Sequence, residues 1–181
     1  MYNYYNDLIN FIKEHKDNWM ELLANPPYCL RIKQCPFVDT DNNLKYPELY
    51  MLSYNQITST LKEPIVRACR GCVISIEDLD NVKIICAPFY KFFNYGEVNN
   101  ADEIDWASAV PQEKLDGSLV KYFNYKDEWI WVTNNGWDIN TDLPISVISS
   151  FIEEETDDAR TFEDLIKYSL RNKNINELNK V

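Results

Sequence analysis

Gln112-Glu113-Lys114-Leu115-Asp116-Gly117-Ser118-Leu119-Val120 sits just past the midpoint of the chain and sets one lysine beside an acid and a bendable Gly-Ser pair. A lysine acts as a covalent nucleophile only when deprotonated, so desolvation or a nearby cation must lower its pKa. Gly117 lets the backbone turn tightly or come close to a ligand, and Ser118 adds a hydroxyl. Leu119-Val120 read as the start of a strand, which would hold the lysine on a rigid element. Taken alone, Lys-x-Asp-Gly-Ser also reads as an ordinary hairpin turn, because Asp-Gly is a strong turn signal.

Upstream, Arg67-Ala68-Cys69-Arg70-Gly71-Cys72-Val73-Ile74 places a guanidinium immediately before an apolar run. Such a position suits contact with a phosphate or ribose, and equally suits a surface arginine at a strand start. Pro88-Phe89-Tyr90-Lys91-Phe92-Phe93-Asn94-Tyr95-Gly96-Glu97 follows, with aromatics gathered around one lysine and no helical or strand period. Aromatics stack on nucleobases and a lysine among them can meet phosphate. The same block also reads as an apolar loop closing the core, with Lys91 reaching out to water. Downstream, residues 120–125 and 129–133 predict a hairpin around Lys126-Asp127-Glu128, and Asn134-Asn135-Gly136 a further turn.

With 181 residues, of which 45% are hydrophobic and 14% aromatic, the chain is long enough for a real core and is not of disordered composition. No apolar run is long enough to cross a bilayer and the first residues do not read as a signal peptide, so a soluble, cytoplasmic protein without membrane contact is expected. A formal net charge of −11 argues against broad, non-specific nucleic-acid binding, which rests on clustered Lys and Arg. Acid gathers in Glu153-Glu154-Glu155 and Asp157-Asp158, a pattern that suits a solvated helix end or loop. Five cysteines, an odd count, favour reduced thiols. Cys69-Arg70-Gly71-Cys72 has the spacing of a metal or redox pair, but the strand-like run that follows favours buried thiols instead, and no metal ligands are assigned.

The remaining elements follow from periodicity. Apolar positions over residues 6–23 predict one amphipathic helix, ended by Pro26-Pro27. Strands are expected at residues 28–32, 49–54, 72–76 and 82–87, with a turn at Asp78-Leu79-Asp80-Asn81. Helices are expected over residues 144–152 and 161–170, capped by Asp142 and Thr161, before a fraying polar tail from residue 171.

Three blocks in one order, Arg-Gly before a strand, Lys-Phe-Phe-Asn-x-Gly-Glu, and Glu-Lys-x-Asp-Gly-Ser-Leu, resemble the ATP-dependent RNA ligases of bacteriophage tRNA-repair type, the RNA ligase 1 family. These are covalent nucleotidyltransferases. The likeness runs from about residue 49 to residue 136, and Ser53-Tyr54-Asn55 looks like the family's upstream strand. The resemblance implies an α+β nucleotidyltransferase fold, a twisted and mostly antiparallel sheet with flanking helices. A single partial adenylation domain is expected, with a helix in residues 1–27, a sheet core in 28–140 and a helical tail in 141–181. ATP is then the first substrate, with magnesium or manganese. Lys114 would attack the α-phosphate and hold AMP, which passes to an RNA 5′-phosphate before an RNA 3′-hydroxyl seals the strand; tRNA is one such RNA. By resemblance, Arg70 lies near the ribose and phosphates, Lys91 steadies the triphosphate, and Phe93 shapes the pocket wall. Asp116 orients Lys114 or a metal-bound water, Gly117 allows close approach, and Glu113 contacts the nucleoside.

The chain departs from the family pattern in two places. A basic residue usually precedes the glycine of the next motif, where this chain has Asn135, an amide without charge. No match follows to the family's later carboxylate, Glu-Gly and Lys-x-Lys strands. The sequence therefore leaves open a split ligase completed by a second polypeptide, a catalytically degenerate nucleotide-binding or partner-binding module, and weak self-adenylylation.

Overall fold

A computed structural model describes residues 4–97, 104–143 and 160–173. The chain divides into two compact units, Met1–Trp137 and Asp138–Val181.

The first unit is built on a four-stranded antiparallel sheet in the order β1-β2-β3-β4: β1 Arg31–Gln34, β2 Leu49–Ser53, β3 Arg70–Asp78 and β4 Asn81–Cys86. β2 and most of β3 are buried in near-continuous runs because both faces of the sheet are covered. Leu52, Cys72 and Ile74 face one side and pack against Leu8, Ile12, Trp19, Leu23, Ile65 and Val66. Those come from three helices, α1 Tyr4–Glu14, α2 Trp19–Ala24 and α3 Pro64–Ala68. Leu49, Met51 and Val73 face the other side, against Phe123, Tyr125, Ile130 and Val132. These belong to a separate two-stranded hairpin, β5 Val120–Tyr125 and β6 Glu128–Thr133. Antiparallel pairing throughout, with helices on one sheet face, agrees with the α+β class expected from the sequence.

Several boundaries differ from the sequence reading. The predicted helix over 6–23 is two helices, because His15-Lys16-Asp17-Asn18 offers the core no apolar side chain. The His15 amide closes α1 on the Phe11 carbonyl at 3.1 Å and its ring stacks on Phe11 at 4.2 Å. β1 begins at Arg31, three residues later than expected, since Tyr28 and Cys29 donate their amides to the Asn25 carbonyl in a turn. The β3–β4 turn is tighter than expected, with Asp78 paired to Asn81. The β5–β6 hairpin falls where the alternation placed it. Its two turn residues, Lys126 and Asp127, both have positive φ (49° and 66°), the geometry whose twist matches that of paired strands.

In the second unit, α4 spans Phe162–Leu170. Thr161 caps it as its sequence position predicts: the hydroxyl accepts from the Asp164 amide at 3.2 Å while the Asp164 carboxylate accepts from the Thr161 amide at 2.8 Å. The helix expected over 144–152 and the tail beyond 173 lie outside the described residues. Among the described residues, no helix is long and apolar enough to cross a membrane. All five cysteines are free of disulfides, and Cys35, Cys69 and Cys72 are buried.

Candidate functional site

The site begins with a β-bulge. Leu52 pairs with Cys72, but the next residue, Ser53, pairs with Arg70, so Gly71 is an extra residue in β3. Strict alternation would turn Arg70 to the same face as Cys72, into the helix-side core. The inserted Gly71 re-aims it onto the opposite face, beside Ser53. Gly71 takes φ +82°, and a Cβ there would meet the Asn134 carbonyl oxygen at 2.6 Å and the Asn134 Cα at 2.7 Å. Only glycine allows the turn after β6 to come this close.

Ser53 is paired on its other side with Arg31 of β1. Arg31, Ser53 and Arg70 therefore form a row across three strands on one face of the sheet. The Thr133–Gly136 turn closes over this row. Ser53 Oγ donates to the Asn134 carbonyl at 2.7 Å, Arg31 Nη2 donates to Asn135 Oδ1 at 2.9 Å, and Lys33 Nζ donates to the Asn135 carbonyl at 2.7 Å. Between them lies a cavity of about 200 Å³ lined by Arg31, Ser53, Tyr54, Gln56, Arg70, Asn134 and Asn135. Neither arginine has a carboxylate partner among the described residues. The cavity is thus a cationic, amide-rich recess in an acidic protein. Two residues expected from the sequence, Arg70 and Asn135, meet here.

The Lys91–Phe93 segment is fastened next to them. The Lys91 amide donates to the Arg67 carbonyl at 3.0 Å, and the Arg67 guanidinium lies 5.3 Å over the Phe93 ring. Arg70 lies 5.3 Å from the Phe92 ring and Lys91 Nζ 5.2 Å from that of Phe93. Each is a cation–π contact. Asn94 and Glu97 close the segment through three hydrogen bonds: the Asn94 amide and side-chain amide donate to the Glu97 carboxylate at 2.9 and 2.7 Å, and the Glu97 amide to the Asn94 carbonyl at 3.1 Å. Phe89, Phe92 and Tyr95 stay exposed, so this is more than a loop sealing the core.

Lys114 is placed differently from expectation. β5 starts only at Val120, and residues 111–118 run as exposed, irregular chain before it. Among the described residues, none pairs with that run in a ladder that would fix the lysine. The Lys114 side chain is 73% exposed and its hydrogen-bond partner is Asp116 Oδ1 at 3.3 Å. Glu113, Asp116 and Gly117 are exposed beside it. Gly117 has φ +143°, a conformation that other residues rarely adopt, and open space where a Cβ would be.

Sequence reasoning missed Lys121. It shares an inward strand face with Phe123 and Tyr125, and that alternation was the available signal. Only 6% of it is exposed, and its ammonium donates to the Gly71 carbonyl. It also lines a second, apolar cavity of about 360 Å³ with Ala87, Pro88, Phe89, Tyr90 and Leu119. Burial pulls its pKa from 10.5 down to about 8, against the opposing pull of the Cys86 and Cys72 thiols. Burial likewise pushes the Cys72 thiol up to about 12. Between pH 8 and 10.5 the unfolded chain holds a proton on Lys121 that the folded chain has released, so stability rises with pH in that window. The cost of the buried charge, about 3 kcal/mol, is present in full below pH 8 and fades towards 10.5. Denaturant unfolding of the wild type and of Lys121→Met should show their stability difference moving by about that amount across the window. A difference independent of pH would rule out a buried, titrating Lys121.

The RNA ligase family model matches residues 68–180, more than half of the chain. The chain belongs to the RNA ligase family. The matched stretch holds Arg70, the Lys91–Phe93 segment, the Lys114 motif and Asn135. A relative within this theme is a viral protein named as a bifunctional polynucleotide kinase/RNA ligase, from Autographa californica nuclear polyhedrosis virus. It is 29% identical over 91 residues, which cover 45% of this chain and 13% of that protein. The chain thus spans a small part of that relative's length. No solved structure matches the chain significantly.

Proposed function

We propose that this RNA ligase family chain is the nucleotide-binding part of an ATP-dependent RNA ligase with a nucleotidyltransferase fold, and that Lys114 carries AMP. The neutral ε-amine of Lys114 attacks the α-phosphorus of ATP. A P–N bond forms as the P–O bond to pyrophosphate breaks, and the amine's proton leaves to solvent. AMP then passes to an RNA 5′-phosphate, and a 3′-hydroxyl displaces it as the strand is joined. The observation that supports this reading is the convergence of Arg70, Asn135 and the Lys91–Phe93 segment at one end of the strands, inside the stretch that matches the family. Fixed cations at such a site suit a polyphosphate, whose charge they offset as the leaving group departs.

Among the described residues, no group of three His, Cys, Asp or Glu side chains could hold a metal ion, and the polar cavity is lined by arginines and amides. We therefore treat magnesium or manganese as part of the substrate, carried on the phosphates of ATP. For the full sealing cycle we propose a second polypeptide segment carrying the carboxylates and paired lysines of the family's later motifs.

The test is incubation with ATP labelled at the α-phosphate and magnesium or manganese. Label retained in base and lost in acid is the expected phosphoramidate. A second reading is favoured by the exposure of Lys114 and the uncharged Asn135: a nucleotide-binding or partner-binding module without catalysis. ATP binding with no adduct, even after addition of a polypeptide bearing the later motifs, would select that reading.

A further inference from the structure

The row across the sheet carries more than Arg70. We propose that Arg31 and Arg70, held on either side of Ser53, form a two-guanidinium clamp for a phosphoryl group. The proposal rests on the ligase reading above and adds Arg31 to its machinery, a residue outside the three sequence blocks and outside the family-matched stretch.

Four observations carry it. Arg31 pairs with Ser53 and Ser53 with Arg70, so the two guanidiniums leave one sheet face from strands two apart, roughly 10 Å between backbones. Long arginine side chains converge over such a gap onto a common ligand. Both line the same cavity of about 200 Å³, which is below the usual range of about 300–1,000 Å³ for a whole small-molecule site and fits a phosphoryl end of a larger one. Neither guanidinium is neutralised by a carboxylate among the described residues, although the chain carries a net charge of −11. Arg31 spends one N–H on Asn135 Oδ1, which orients the fork and leaves its other donors for a ligand. Asn135 brings an amide to this recess; Arg31 brings the charge.

A planar guanidinium fork recognises phosphate through paired N–H donors, and two such forks suit a group with several acceptor oxygens. That chemistry is shared by the polyphosphate tail of ATP and by the 5′-phosphate of an RNA end. The probes separate them. Inorganic tripolyphosphate, ATP, AMP, and a short RNA with and without a 5′-phosphate would be titrated against the full chain and its variants.

Arg31 is exposed, so Arg31→Gln leaves the core untouched, and a thermal melt checks this. Arg31→Gln should weaken the phosphorylated probes by about 10- to 100-fold and flatten the salt dependence. Arg31→Lys, which keeps the charge but loses the fork, should recover part of the loss. A loss confined to tripolyphosphate and ATP assigns the clamp to the nucleotide tail, and one confined to the 5′-phosphorylated RNA assigns it to the RNA end. Unchanged affinity for every probe in Arg31→Gln, or no binding of any probe to the wild type, overturns the clamp. The labelled adduct is scored separately. An adduct that still forms while Arg31→Gln binds every probe unchanged leaves the ligase reading standing and removes the clamp. Arg31-dependent phosphate binding without any adduct, even with a polypeptide bearing the later motifs added, leaves the clamp and removes the chemistry.

Discussion

Lys114→Ala is expected to abolish the acid-labile adduct formed with α-labelled ATP, by at least about 1,000-fold, while leaving the melting transition where it was. The two halves of that result have separate causes. An alanine has no nucleophile, and removing a group that forms the covalent bond is among the largest single losses an enzyme shows. The fold is indifferent because the Lys114 side chain is 73% exposed and its partner, Asp116, is 99% exposed. A surface substitution of this kind changes stability by no more than about 0.5 kcal/mol. Lys114→Arg should fail equally, since a guanidinium keeps its proton and cannot attack. Among the described residues none packs over Lys114, whose side chain is 73% exposed, so the desolvation the reaction needs is proposed to arrive with the bound nucleotide. Lys121 is the informative control. It is the buried lysine with the lowered pKa, and it lines a cavity of its own. Label that survives Lys114→Ala but vanishes in Lys121→Met would move the covalent step to the buried residue and sink the assignment of Lys114.

Gly71→Ala is expected to cost about 3–5 kcal/mol of folding stability, a large share of the total for a domain of this size. Two penalties coincide at this position. Alanine at φ +82° is strained, and its Cβ would stand 2.6 Å from a backbone oxygen and 2.7 Å from a backbone carbon of Asn134. Backbone cannot move aside as a side-chain tip can. The Thr133–Gly136 turn must shift, taking with it the hydrogen bond from Ser53 to Asn134 and the wall of the polar cavity. The variant should therefore unfold at lower denaturant and bind phosphorylated probes more weakly. Gly117→Ala supplies the comparison, since its φ is also positive but its Cβ points into open space. That substitution should cost only the backbone strain, about 1–2 kcal/mol. Equal losses at the two glycines would show that crowding against Asn134 is unimportant.

The strands and the site were legible to different depths. β2, the β3–β4 pair and the β5–β6 hairpin follow from runs of aromatic, β-branched and large apolar residues and from turn residues, and the Thr161 cap from a single hydroxyl before an amphipathic run. The break at residues 15–18 was readable only in part, because the apolar stripe on either side stays in phase. Arg70, Lys91 and Asn135 were named from the sequence, and the structure gathers the first and last around one cavity with the Lys91–Phe93 segment fastened alongside. Arg31 and Lys121 were not. Arg31 carries no local signal at all, and Lys121 carries only its place on an inward face.

By itself, then, the sequence determined the local elements and the family blocks, including the lysine motif, because those depend on residues near one another along the chain. Tertiary structure alone decided which side of the sheet Arg70 faces, through the extra residue Gly71, and which strand brings Arg31 to meet it. It also decided that Lys121 is buried and Lys114 exposed, seven residues apart. The physical reason is that register and burial are set by pairing between distant segments. A bulge of one residue turns a side chain from one face to the other without changing any neighbour in sequence.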